Sequence, residues 1–471
     1  MKKKNDKLVL LLIIIVAYAI LSWIIPGGVF NNGVYAEANP ARAGFFDVFV
    51  LMYSAFYYKF TDIFYLFVVG GCYSVLSKTK MYRKLVDKTA KFVEGKEIWV
   101  ILIFTLLTGA FASLTSDLMV LFALVPFVVS VFLKNGYKRL TAISVAFGGM
   151  FIGLFGNTFG TYGLTRLYQD MALDYGNIWL VKLVLFIITY VLYNLFTITY
   201  MRKNCDRDES EYDLFPTEDL VEPKNKRSKV AMWPIVLIGV VIILLCTVGY
   251  INWESSFGVT VFTDTFTNFQ NGFKIGDNAV LSNILGANFA AFGKWADLLV
   301  VSFLMFIGTV IVGLIEKISV ENFIKLFGNG MKRMIKIAFI YGLAYGILFL
   351  YTTYPWPSTI INAIMSSGKF NILIVMLAGL VATMLIGDLE FIGYTFGSVL
   401  VVLFADYLEP AALVWHTGEA LALLVAPTSF LLLTALTYLD IPYKDWLKYI
   451  WKFALSMVFA SLLFFVIVLY V

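Results

Sequence analysis

Leu114-Thr-Ser-Asp-Leu118 and Leu385-Ile-Gly-Asp-Leu389 are short polar interruptions in apolar sequence, and they lie 271 residues apart. Gly156-Asn157-Thr158-Phe159 and Pro427-Thr428-Ser429-Phe430 repeat that spacing. Each half of the chain therefore carries a polar tip followed by a second polar break inside an apolar stretch. Self-similarity at a fixed offset over two separate features marks an internal repeat.

The surrounding sequence says where this repeat lives. Of 471 residues, 60% are hydrophobic and only 14% charged, against about 25% charged in soluble domains. Nine apolar stretches approach the ~20 residues that cross a bilayer: 8–26, 61–76, 140–172, 178–201, 233–251, 296–315, 334–354, 411–439 and 448–471. Two others, 98–133 and 370–404, are broken in the middle by Thr115-Ser116-Asp117 and by Gly387-Asp388 with Glu390 close by. Their arms are short for full crossings, so they read as re-entrant hairpins. The fold expected is an all-α polytopic membrane protein, with inverted repeats, two re-entrant hairpins and two broken helices. A first repeat covers 1–201, a polar linker 202–232, a linking transmembrane helix 233–252 and a second repeat 253–471. The N-terminal Lys-rich segment and apolar run resemble a signal peptide with Ala36-Glu37-Ala38 as a cleavage site, but the run is longer than a signal core and reads as a retained first helix.

Charge sets the orientation. With the N-terminus in the cytoplasm, the cytoplasmic stretches hold 28 Lys/Arg and the outer ones only five: Arg42, Lys59, Lys274, Lys294 and Lys369. That is the asymmetry of the positive-inside rule and places the protein, multi-pass, in the cytoplasmic membrane. The basic run Lys224-Asn-Lys-Arg227 reads as topology-setting charge, with no nucleic-acid partner. The aromatic cluster 53–58 and Trp356 read as interface belt and packing. The three cysteines suggest no disulfide framework.

The breaks carry the function. Glycine at 156 and proline at 427 interrupt the helical ladder, and unpaired backbone in hydrocarbon survives only where it lines a polar cavity or is buried in protein. Freed amides attract anions and freed carbonyls coordinate Na⁺. The expected substrate groups are Thr115, Ser116, Asn157, Thr158, Gly387, Thr428 and Ser429. Asp117, Asp388, Glu390 and Glu419 are the expected ion-coupling carboxylates, with Na⁺ sites at Asp117, Asn157, Asp388 and Thr428. The bland reading of Asp117 and Asp388 is helix capping. His416 and Glu419, one turn apart, form a candidate hydrogen-bonded pair, with a satisfied interior histidine as the alternative. Arg166 either meets a substrate carboxylate or snorkels to the interface.

Three further stretches resemble a known family. Trp23-Ile-Ile-Pro-Gly-Gly-Val-Phe30, Leu124-Val-Pro126 with Gly136-Tyr137, and Val425-Ala-Pro-Thr-Ser-Phe430 leading to Ile441-Pro-Tyr-Lys-Asp-Trp446 are similar to motifs of the DcuC/YfcC-like anaerobic C4-dicarboxylate carriers, within the ion-transporter superfamily. The resemblance implies a homodimer, Na⁺ or H⁺ coupling, no cofactor and an elevator motion of a hairpin-bearing domain. Two tips depart from it: Thr115-Ser116-Asp117 stands where the superfamily often has Ser-Asn-Thr, and the second hairpin tip differs from the family's Pro-Ser-Gly-Ser-Gly. The function expected is ion-coupled secondary transport of a small dicarboxylate or amino acid. An enzyme is disfavoured: the chain has one histidine, no Cys/His ligand spacing and no Gly-rich phosphate loop. A channel is the remaining alternative.

Overall fold

Apolar runs in a bilayer fold as helices because every backbone polar group must find its partner within the segment. The computed structural model describes residues 6–38, 42–160, 164–173, 178–204, 213–217, 231–286 and 289–470. The runs 206–211 and 224–227 of the linker lie outside them.

In the first half, α1 (Asp6–Ile24) leads into a hairpin of β1 (Gly27–Asn31) and β2 (Val34–Ala38). Then come α2 (Phe45–Tyr58), α3 (Phe60–Leu76), the amphipathic α4 (Lys80–Val93) and α5 (Glu97–Thr115). A 3₁₀ segment (Leu118–Leu124) precedes α6 (Val125–Lys134), α7 (Arg139–Phe155), α8 (Leu164–Asp170) and α9 (Trp179–Lys203). α10 (Trp233–Tyr250) links the halves. It is followed by α11 (Trp253–Phe257), α12 (Val261–Gly272), the two-residue strands β3 (Lys274–Ile275) and β4 (Asn278–Ala279), and α13 (Val280–Leu285). The second half comprises α14 (Leu298–Ile315), α15 (Val320–Thr353), α16 (Trp356–Met365), α17 (Ile372–Ile386), α18 (Leu389–Leu403), α19 (Leu408–Val425), α20 (Phe430–Tyr438) and α21 (Tyr443–Tyr470).

Among the described residues eight helices are long and apolar enough to cross a membrane, nine if a bent pair counts as one. All nine expected spans have helical counterparts. Three details add to or differ from the sequence expectation. The aromatic cluster 53–58 ends α2, which meets α3 at a 61° bend around Lys59. α15 runs 34 residues, its polar first half continuing through Gly328-Asn329-Gly330, where Gly330 packs closely on Gly70 of α3. α5 is 19 residues long, longer than a short hairpin arm, whereas α17 and α18 have 15 each.

Two helices form the centre. Every side chain from Thr141 to Phe155 of α7 is buried, as is every one from Ala411 to Leu424 of α19. Lipid supplies no hydrophobic drive between helices, so close association depends on small residues that let backbones approach. α7 presents Gly149 and Gly153 to Thr108, Gly109 and Ala112 of α5. α19 and α17 do the same with Gly418 and Gly379: a Cβ on Gly418 would lie 2.1 Å from the Met376 carbonyl oxygen. Gly418→Val is therefore expected to cost about 1–3 kcal/mol through overpacking, read as a lowered Tm of the detergent-purified protein; an unchanged Tm would remove the close-approach argument.

The repeat also appears in hydrogen bonding. The Ser113 carbonyl accepts the backbone N–H groups of Thr158, Phe159 and Gly160 at 3.0–3.2 Å. In the second half the Met384 carbonyl accepts the Thr428 hydroxyl at 2.9 Å. Ser113 and Met384 are themselves 271 residues apart. In both halves, then, the same carbonyl, near the end of the first hairpin arm, holds the break of the neighbouring helix.

Candidate functional site

The hairpin tips and the first helix break meet in one cavity of about 420 Å³. Ser116 and Asp117 enter from the end of α5, Asp388 and Glu390 from the start of α18, and Asn157 from the break after α7. The opposite wall is Tyr58, Lys59 and Asp62 at the α2–α3 bend, Asp297 before α14, and Tyr341 and Tyr345 of α15.

Local geometry explains each position. α5 stops because Ser116 takes a left-handed conformation (φ +60°), and α17 stops at Gly387 in the same region (φ +86°), where glycine is unstrained. Asn157 holds the first tip: its Nδ2 donates to Ser116 Oγ at 2.9 Å, while its Oδ1 accepts the Gly160 N–H at 2.9 Å. Asp388 caps α18 by accepting the Phe391 N–H at 2.9 Å. Asp117, at the equivalent position, makes no such cap bond. Its carboxylate faces the cavity without that structural duty.

The cavity is strongly acidic. Among the described residues five carboxylates line it (Asp62, Asp117, Asp297, Asp388 and Glu390) against one ammonium, Lys59. Lys59 Nζ lies 3.8 Å from Asp62 and 4.3 Å from the centre of the Tyr345 ring. Tyr341 donates its hydroxyl to the same Asp62 carboxylate at 2.5 Å. Asp297 caps α14 through the Leu299 N–H.

The other residues singled out from sequence turn elsewhere. The Thr115 hydroxyl donates to the Phe111 carbonyl and accepts the Asp117 N–H. Thr158 Oγ1 meets Ser113 Oγ at 2.9 Å. At the second break the carbonyls left without helical donors are already occupied: Leu423 by the Ser429 hydroxyl at 2.7 Å, Leu424 by Trp446 Nε1 at 3.1 Å and Val425 by the Tyr443 hydroxyl at 2.5 Å. Here the expectation of carbonyls free for a cation meets a different outcome, because buried carbonyls take the nearest donors. This also explains why Pro427-Thr-Ser and Ile441-Pro-Tyr-Lys-Asp-Trp446 occur together: the second motif supplies the donors that the proline break requires. Arg166 pairs with Asp170 at 3.0 Å and lies outside the cavity wall. His416 and Glu419 do not bond each other: His416 Nδ1 faces Lys182 Nζ at 3.0 Å, and Glu419 Oε1 accepts from Trp415 Nε1 at 2.8 Å.

The sequence profile described as the C4-dicarboxylate anaerobic carrier (DcuC) matches residues 5–471. The chain belongs to this family. It is a multi-pass membrane transporter and not an enzyme. No curated protein matches the carrier. Among solved structures it is similar to the YdaH transporter of Alcanivorax borkumensis, at 14% identity, with 99% of this chain and 98% of that one covered and a TM-score of 0.42. It is also similar to MtrF of Neisseria gonorrhoeae, described as an antimetabolite efflux pump, at 13% identity, 98% and 95% coverage and a TM-score of 0.39.

Proposed function

We propose that the carrier moves a small carboxylate-bearing solute, a C4-dicarboxylate, together with compensating cations, Na⁺ or H⁺, through the cavity between the two hairpin tips. The observation that carries this reading is the meeting of Ser116, Asp117, Asn157, Asp388 and Glu390 in one acidic cavity. A bare dianion is repelled there. Cations bound at Asp117 and Asp388, with Lys59 on the facing wall, turn repulsion into attraction, which is the electrostatic basis of obligatory coupling.

The two halves, 1–201 and 253–471, act as inverted repeats, and solute sits at their interface, as in other carriers with broken helices. The hairpin-bearing helices around α7 and α19 travel as the elevator, against a frame containing α3, α14 and α15, within a homodimer in the cytoplasmic membrane. With the N-terminus cytoplasmic, the α2–α3 bend and the start of α14 face outward, so the cavity is filled from outside.

The acidic excess favours a second reading, an amine-bearing solute such as an amino acid, whose ammonium pairs with a cavity carboxylate. Counterflow in proteoliposomes separates a carrier from a channel: uptake stimulated by unlabelled solute on the far side is expected, and uptake indifferent to it would overturn the carrier reading. A thermal-shift comparison of dicarboxylates and amino acids, with Na⁺ and at several pH values, decides between the two solute classes.

A further inference from the structure

The cavity leaves one polar cluster of the membrane interior unused. Lys182 on α9 is fully buried, His416 on α19 likewise, and Glu419 is 1% exposed. Lys182 Nζ and His416 Nδ1 are 3.0 Å apart, and Trp415 Nε1 donates to one Glu419 oxygen. The second Glu419 oxygen, Oε2, and His416 Nε2 have no hydrogen-bond partner. Polar atoms buried without partners are costly and uncommon, and ionisable groups at membrane depth mark ion pathways and proton relays.

We propose that Lys182, His416 and Glu419 are the proton-carrying site of the transport cycle, separate from the solute cavity. The proposal rests on the carrier reading and adds to the cations held at Asp117 and Asp388 a second, proton-specific site outside the cavity. The chemistry selects a proton. A metal cation needs several oxygen ligands, and here one carboxylate stands with an amine and an imidazole, whereas a proton can add to Glu419 Oε2 or His416 Nε2 without needing space. Space is scarce: Gly418, between the two side chains in sequence, lies against the Met376 carbonyl of α17.

Other charges do not compete for the site. On the packed elements, Arg139 of α7 donates to the Leu439 and Asp440 carbonyls, and Arg166 and Asp170 of α8 pair with each other. Glu97 at the start of α5 accepts from the Gly95 N–H, and Glu390 of α18 lines the cavity. α17 and α20 carry no charged residue. On α21, Lys444, Lys448 and Lys452 are exposed, and Asp445 is half-buried in the first turn. Arg202 and Lys203 occupy the far end of α9, and Glu409, at the start of α19, is exposed.

The site is adjacent to the cavity through rigid helix. Leu423 lines the cavity, and Glu419 lies one turn away on the same face of α19, a rise of about 6 Å. On the other side Lys182 lies one turn from Phe186, which packs against Gly156 at the first break. With ammonium, neutral imidazole and carboxylate the cluster is neutral. Proton uptake makes it positive, which an anionic solute in the adjacent cavity stabilises, and by linkage the proton strengthens solute binding equally.

The test uses purified carrier in proteoliposomes with labelled succinate. Wild type is expected to show counterflow and to accumulate succinate when a pH gradient is imposed. Glu419→Gln is expected to keep counterflow within twofold, lose tenfold or more of the gradient-driven accumulation, and show exchange with a flattened pH profile; Glu419→Asp restores the drive. A triple variant, Lys182→Met with His416→Phe and Glu419→Gln, leaves no titratable group in the cluster and covers misfolding of the single one, and it too should exchange without responding to pH. Accumulation by wild type that ignores the pH gradient, or by Glu419→Gln that follows it as wild type does, overturns the proton site and leaves the carrier reading standing. Absence of succinate counterflow in wild type overturns the dicarboxylate reading on which the proposal rests.

Discussion

Asp117→Asn is expected to lower solute uptake roughly 10- to 100-fold while the purified protein keeps its Tm. The magnitude follows from losing one charge-assisted contact worth about 1.5–3 kcal/mol, at 1.4 kcal/mol per factor of ten. Stability is spared because Asp117 makes no cap bond and asparagine fills the same space. Asp388→Asn is the matched comparison. Asp388 does cap α18, but asparagine caps as well as aspartate, so this variant also isolates charge from structure. If the two carboxylates hold the compensating cation, both variants lose transport and the dependence on cation concentration shifts upward. Uptake at the wild-type level in both would remove the tips from the mechanism and leave the cavity without its coupling groups.

The fold was legible because hydropathy and the 271-residue offset are properties of one dimension. Each expected span found its helix, and the two breaks and tips lie where the polar residues put them. The site was legible only where chemistry and local sequence coincide: Ser116, Asp117, Asn157, Asp388 and Glu390 advertise themselves as polar residues in apolar runs, and all five line the cavity. Lys59 and Asp62 did not, because charges at the edge of an apolar run look like loop residues; it is the 61° bend between α2 and α3 that turns them inward. Lys182 was hidden differently. Lys182 alone barely alters the mean hydropathy of the span 178–201, and its partner lies 234 residues away. Its signal was present as a basic residue a single turn inside a span with no place in either loop count. The roles of Thr428 and Ser429 show the opposite limit. Their polarity was evident, but whether a hydroxyl faces solute or a neighbouring carbonyl depends on packing with α17 and on the turn before α20. The β1–β2 hairpin, by contrast, was legible and passed over: its turn is Asn32-Gly33, both at positive φ, a local hairpin signal to which the packing of Phe30 against Phe396 and the Tyr35 hydroxyl on Thr359 add tertiary anchors.

Lys59→Met is expected to raise the KM for a dicarboxylate about tenfold or more and to leave the KM for an amino acid unchanged or lower. Lys59 is the one cation of the cavity wall among the described residues, so a dianion loses an attractive fixed charge when the ammonium is removed. A contact to a charged group is worth about 1.5–3 kcal/mol, and more than 1.4 kcal/mol corresponds to a factor of ten. Methionine keeps most of the apolar stem and gives up only the ammonium, with its contact to the Tyr345 ring, so kcat should change less than KM. An ammonium-bearing solute experiences the reverse: removing Lys59 leaves Asp62 its Tyr341 hydroxyl but no cation among the described residues of the cavity wall, and the carboxylate becomes available to it. The two solute classes are therefore driven in opposite directions by one substitution. Succinate and an amino acid measured side by side in the same proteoliposomes give the decision. A dicarboxylate KM that does not move in Lys59→Met would show that the solute never approaches the α2–α3 bend, and that its site is confined to the hairpin tips and Asn157.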